Sequence, residues 1–247
     1  MKKQFVAVTV VLLVLLSMTA FAATNGRYDQ QIQQAVSQKM HGAKQLQNVN
    51  STVEDGIVTL TGTVNLYQDK LNAAKKAKKI ANVSGVRNNI VVAGANVSDD
   101  QLEQKLAKKL AYDRVGYFDN TFNYLALGVQ NGVVTLEGDT MNDTPKASAM
   151  AIVASTPGVK DVVDNVKVLP ASFFDNSLRV KIARAIYRDP VLSRYAIDPV
   201  HPIRIVVNNG HVTLTGIVGN QMDYNIARIR ALSVPGVFSV TNNLRIG

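Results

Sequence analysis

The sequence predicts an α+β fold of three tandem α-β-β-α-β modules, each a small three-stranded mixed sheet with two helices packed on one face. Three observations carry this. The string Gly-Xaa-Val-Thr-Leu-Xaa-Gly occurs at Gly56 to Gly62, Gly132 to Gly138 and Gly210 to Gly216, recurring every 76 and 78 residues. Each copy follows Asp55, Asn131 or Asn209, and an Asp-Gly or Asn-Gly pair between alternating apolar stretches is the strongest short hairpin signal. Each hairpin is flanked by segments with helical apolar spacing. Repeats of this length point to a chain of similar units.

The elements follow in order within each copy. The first helix is expected at Asp29 to Met40, Asp99 to Ala111 and Phe173 to Tyr187, with Leu102, Leu106 and Leu110, or Leu178, Ile182 and Ile186, four residues apart. The incoming strand alternates through Val49 and Val53, through Leu125, Leu127 and Val129, and through Ile203, Ile205 and Val207. In the outgoing strand Val58 and Leu60, Val134 and Leu136, and Val212 and Leu214 share a face. The threonine between each pair, Thr59, Thr135 or Thr213, points the other way. One face is therefore to be covered and the other left to water.

The second helix is expected after an asparagine cap at Asn65, Asn142 or Asn220. Its apolar stripe reads Leu71, Ala74 and Ala77 within Lys70 to Ala81, or Met222, Ile226 and Ile229 within Met222 to Leu232. A third strand closes each unit after Asn82, Gly158 or Gly236, where a left-handed residue is expected to end the helix. From the strand-ending glycines Gly62, Gly138 and Gly216 to Asn89, Asn165 and Asn243 the distance is 27 residues in every copy.

The N-terminus is expected to act in export. Lys2 and Lys3 precede an apolar run from Phe5 to Leu16, and Ala20 and Ala22 fit a small-residue cleavage rule. Residues 1–22 read as a signal peptide cleaved near Ala22. The modules then occupy residues 28–95, 96–168 and 169–247. With no cysteine, neither a disulfide framework nor an N-terminal lipid-modified cysteine is available.

Few side chains offer chemistry. His41, His201 and His211 have no spacing that builds a metal site or a nucleophile-base pair, and nucleophile-elbow, zinc-protease and phosphate-loop motifs are absent. The carboxylate pairs Asp99-Asp100 and Glu137 with Asp139 read as a helix start and a strand end. No catalytic, cofactor-binding or metal-ligating residue is assigned.

Charge is more informative. The net charge is +9, or +7 without Lys2 and Lys3. By module, eight basic against four acidic residues give +4, seven against ten give −3, and nine against four give +5. Two helices concentrate it, through Lys75, Lys76 and Lys79 in the first copy and Lys181, Arg184 and Arg188 in the third. Such a face fits an anionic surface, and a merely solvated helix exterior produces the same pattern.

The repeated hairpin glycines, the Val-Thr-Leu-Xaa-Gly strand and the closing Gly-Val-Xaa-Xaa-Val-Xaa-Asn of the later copies resemble the BON (bacterial OsmY and nodulation) family. Asn82 departs from that pattern where glycine is usual. The resemblance implies a small sheet with two helices on one face. It also implies a non-enzymatic periplasmic protein of envelope maintenance or osmotic stress, binding either anionic phospholipid surfaces or other envelope proteins in a chaperone-like way. Export makes nucleic acid an unsuitable partner despite a pI near 9.7. For the chaperone reading, the aromatic run Tyr112, Tyr117, Phe118, Phe122 and Tyr124 is the recognition candidate, with core packing as the alternative explanation.

Overall fold

A computed structural model describes residues 28–113, 120–197 and 201–247. The expected signal segment and the candidates Tyr117 and Phe118 lie outside the described residues. Two compact units meet in the chain between Ala93 and Gly94. The first holds α1 (Asp29–His41), β1 (Val49–Glu54), β2 (Ile57–Val64), α2 (Tyr67–Lys78), β3 (Gly85–Asn88) and β4 (Val91–Val92). The second holds two copies of the same order. They are α3 (Asp99–Ala111), β5 (Tyr124–Gln130), β6 (Val133–Thr140), α4 (Asp143–Ala154) and β7 (Asp161–Val168), then α5 (Phe173–Tyr187), β8 (Arg204–Asn208), β9 (His211–Val218), α6 (Gln221–Leu232) and β10 (Ser239–Ile246).

In every copy the Val-Thr-Leu strand is central. Its hairpin partner runs antiparallel, with Val49 opposite Gly62, Leu125 opposite Gly138 and Ile205 opposite Leu214. The closing strand runs parallel, with Val58 opposite Val86, Val134 opposite Val162 and Val212 opposite Val240. A parallel neighbour requires a crossover, which the second helix supplies. In the first copy the closing strand is split into β3 and β4, both parallel to β2. The hairpin turns have positive φ at both central residues, from 50° to 78°, as a type I′ turn demands.

Leu178, Ile182 and Ile186 are buried against Ile203, Ile205, Val207, Val212 and Leu214. The second helices differ from expectation in phase. Ala73, Ala149 and Ala227 are buried, whereas Leu71, Met222 and Ile229 are exposed. Small residues let the helix approach the sheet, and the larger apolar side chains stay outside. The capping differs too, because Leu66, not Asn65, holds the N-cap position of α2 and forms no side-chain cap. Asn142 and Asn220 do cap, accepting from the N–H groups of Thr144 and Asp223. Asn82, Gly158 and Gly236 have positive φ, but the helix C-caps are Lys79, Ser155 and Ser233. The left-handed residue is instead third in a turn closed by Val83 on Ile80, Val159 on Thr156 and Val237 on Val234. Proline second and glycine third, as in Pro157-Gly158 and Pro235-Gly236, is the type II pattern.

One side chain ties the first helix to the hairpin in all three copies. The Asp29 carboxylate accepts from the N–H groups of Asp55 and Gly56, both at 2.9 Å. Asp99 accepts from Asn131 and Gly132 at 2.6 and 2.8 Å, and Asp175 from Asn209 and Gly210 at 2.9 Å each. A turn with two consecutive left-handed residues directs its N–H groups at one point, which an acceptor-only side chain can fill.

The second and third copies share one unit. Phe122 packs against the core of the third copy, and Arg204 donates to the Asn123 carbonyl at 3.4 Å. Tyr187 donates to the Ile203 carbonyl at 2.5 Å, and burial pushes its hydroxyl pKa up to about 12. Val206 points to the face away from the helices yet is buried.

Candidate anionic-surface site

Lys75 and Lys79 are exposed and Lys76 is half-buried on α2. Lys76 and Lys79 line a groove of about 590 Å³ with Ala35, Gln38, Lys39 and Ile80. Lys39 comes from α1 and escaped the sequence reading, because residues of two helices meet there only in the fold. Lys75 does not line this groove.

In the third copy Arg184 and Arg188 line a groove of about 390 Å³ with Ala185, Asp189, Pro190 and Arg230. Arg230 and Lys76 stand at the same step of their helices, nine residues after the first. At that step α4 carries Ile152, so the acidic middle copy lacks this cation. Lys109 there is engaged instead, donating to the Thr156 hydroxyl at 3.0 Å.

The third groove is partly neutralised. Asp189 accepts from the Val191 N–H at 2.9 Å and pairs with Arg230 Nε at 2.8 Å. The backbone hydrogen bond first, then the Arg230 guanidinium, hold its carboxyl below the usual range against burial. A depressed folded pKa means that the stabilisation is present above the unfolded value of about 3.9 and disappears as pH falls through the folded one. Urea unfolding should therefore show Asp189→Asn less stable than wild type at pH 7, with the gap closing below about pH 4. A gap constant down to pH 2 would contradict this linkage.

Lys181, Arg184 and Arg188 are all exposed along α5. Phe173 and Val180 share that outward stripe at helical spacing, and Phe173 is 97% exposed. Phe174 and Phe238 stack beside its N-terminal end with ring centroids 6.3 Å apart, and His211 meets Phe238 edge-on at 5.9 Å. Neither the exposed Phe173 nor the contact of Phe174 with Phe238 was found from sequence. The signal available was two consecutive phenylalanines at a helix start, a place normally polar.

Of the aromatic run, Phe122 is core packing, Tyr112 is exposed and Tyr124 is half-buried. Among the described residues no three of His, Asp and Glu come together as a metal site, and no helix is long and apolar enough to cross a membrane.

No curated protein matches the chain. Two solved structures of CdsD, a structural protein of the Type III secretion system of Chlamydia trachomatis, are 14% identical and cover 87% of this chain. The match covers 91% of one and 96% of the other, with TM-scores of 0.26 and 0.24. A family profile described as the BON domain matches residues 28–94, 98–170 and 175–247. With three matched copies, and one α-β-β-α-β order and one turn-clamping aspartate in each, the chain belongs to the BON domain family.

Proposed function

We propose that this chain is an exported, non-catalytic envelope protein that binds anionic phospholipid surfaces peripherally and supports envelope integrity or osmotic tolerance. The observation that carries the reading is the outward stripe of α5, where Phe173 and Val180 share a face with Lys181, Arg184 and Arg188. An interfacial helix combines these two ingredients, an apolar edge entering the headgroup boundary and cations meeting lipid phosphate. Lys39, Lys76 and Lys79 give the first copy a second basic contact. Residues 1–22 supply the export signal in this reading, and the periplasm is the compartment.

Each surface-proximal cation contributes about 1 kcal/mol at an anionic membrane, so three together contribute about a hundredfold in partitioning. Flotation with phosphatidylglycerol vesicles should carry the protein at low salt and release it at high salt, and neutral phosphatidylcholine vesicles should not carry it. Reversing Lys181, Arg184 and Arg188 to glutamate should abolish flotation without unfolding the chain. Absence of the wild type from both vesicle fractions would sink the proposal.

A second reading, a chaperone or adaptor for envelope polypeptides, draws support from Met222, Ile229 and Phe238, which are exposed on the third copy. Suppression of aggregation of an unfolded envelope protein, lost when these residues are made polar, would favour it over the lipid reading.

A further inference from the structure

The sheet faces turned away from the helices in the second and third copies border a common cleft of about 660 Å³, lined by Tyr124 and Asp139 on one side and by Arg204, Thr215, Asn243 and Arg245 on the other. Strand register explains the second wall. Arg204 lies opposite Thr215, and Thr215 opposite Asn243, giving one transverse row across β8, β9 and β10. Arg245 stands two residues beyond Asn243 on the same face, opposite Ile217. Directly opposed side chains in a sheet sit about 5 Å apart at Cβ, so these groups act on one small ligand together.

Two features mark the row as more than sheet exterior. Thr215 is 7% exposed, and its hydroxyl finds no hydrogen-bond partner among the described residues. A β-branched residue on an outer face needs no hydroxyl for packing, and a buried hydroxyl left without a partner costs free energy. The Arg245 guanidinium forms no ion pair among the described residues, while the half-buried Arg204 donates to the Asn123 carbonyl. The Arg245 guanidinium, a hydroxyl and a carboxamide make a donor set suited to phosphate oxygens, with the already engaged Arg204 adding positive potential. Asp139 on the facing wall rejects a bare anion and accepts from a hydroxyl or ammonium.

We propose that this cleft is a binding site for a small phosphate monoester whose other end carries a hydrogen-bond donor. Arg245, Thr215 and Asn243 hold the phosphate, Arg204 supplies further positive potential, and Asp139 receives the far end. The site is independent of the basic helix face, because it lies on the opposite side of the β8-β9-β10 sheet from α5.

Calorimetric titration of the full chain with glycerol 3-phosphate and with phosphoethanolamine tests it, using inorganic phosphate as the truncated probe. Saturable binding is expected, tighter for both esters than for phosphate. Arg245→Gln should weaken it at least tenfold and the near-isosteric Thr215→Val several-fold, with unfolding transitions retained. Lys181→Gln, on the helix face, should leave it unchanged while weakening flotation, which separates this site from the membrane reading. Displacement of bound glycerol 3-phosphate by lysophosphatidate, a lipid phosphate monoester with a free hydroxyl, assigns the physiological ligand to a lipid headgroup, and retention assigns it to a soluble ester. No saturable binding of either ester, or binding untouched by both Arg245→Gln and Thr215→Val, overturns the proposal.

Discussion

Gly138→Ala should lower the stability of the unit formed by residues 94–247 by about 3 kcal/mol or more, near the upper end of single-substitution effects. Gly138 has φ of +123°, and a Cβ there would lie 2.0 Å from the Tyr124 carbonyl oxygen. Left-handed strain accounts for about 1–2 kcal/mol of the loss. The remainder comes from moving backbone, because the obstructing atom is a carbonyl and cannot rotate away like a side chain. The same arrangement occurs at Gly62, 2.0 Å from the Asn48 oxygen, and at Gly216, 2.5 Å from the Pro202 oxygen. Gly128, in the paired strand of the same hairpin, is the internal control, since its Cβ would meet nothing within 4 Å. Gly128→Ala should leave the transition within about 1 kcal/mol of wild type, stabilised slightly through the unfolded chain. Thermal unfolding of the two variants side by side checks the contrast; similar midpoints would refute the close-approach account.

Asp175→Ala should destabilise the third copy by about 3 kcal/mol, and the corresponding Asp29→Ala should cost only about 1 kcal/mol. A hydrogen bond to a charged group contributes about 1.5–3 kcal/mol, and a buried donor left unsatisfied pays its full desolvation penalty. The distinction is burial. The hydrogen bond from the Gly210 N–H to Asp175 is buried, whereas water can replace Asp29 at the exposed Asp55 N–H. Exchange of the Gly210 amide should accelerate far more in Asp175→Ala than exchange of the Gly56 amide in Asp29→Ala. Equal losses in the two copies would show that the clamp acts through helix capping and not through the turn.

These two substitutions touch features of different legibility. Gly138 was visible as the end of a thrice-repeated string. The need for Asp175 was hidden, because it lies 34 residues before Asn209 while Asp29 lies only 26 before Asp55. The connection between first helix and hairpin varies in length, so no fixed spacing announces the contact. The closing strand carries a similar surprise. The repeated asparagines Asn89, Asn165 and Asn243 caught the eye, but the preceding residue makes the cross-links. Asn88 donates to the Lys70 carbonyl and Asn242 to the Tyr224 carbonyl, while Asp164 pairs with Lys146 at 2.9 Å.

The phase of the second helix shows why periodicity alone was insufficient there. In α6, Met222, Ile226 and Ile229 form a credible apolar stripe, yet Asp223, Ala227 and Ala231 face inward. Asp223 is held by Arg194 and by the Tyr195 hydroxyl, which is 2.5 Å away. A buried carboxylate, held by Arg194 and Tyr195 through one of its oxygens, thus sets the rotation that places the alanines beneath and the larger apolar residues outside. The candidate lipid-facing stripe has the same history, since Lys181, Arg184 and Arg188 were legible from spacing, while Lys39 joined Lys76 only when two helices packed.

By itself the sequence determined the three-fold repeat, the α-β-β-α-β order, the type I′ hairpins and the apolar stripe of the first helix in the second and third copies. Those properties follow from local φ preferences and from alternation along a single element. Only the tertiary structure decided the rotation of the second helices, the aspartate clamps and the cleft between the last two sheets. Each depends on which groups from distant segments satisfy one another's hydrogen bonds and charge.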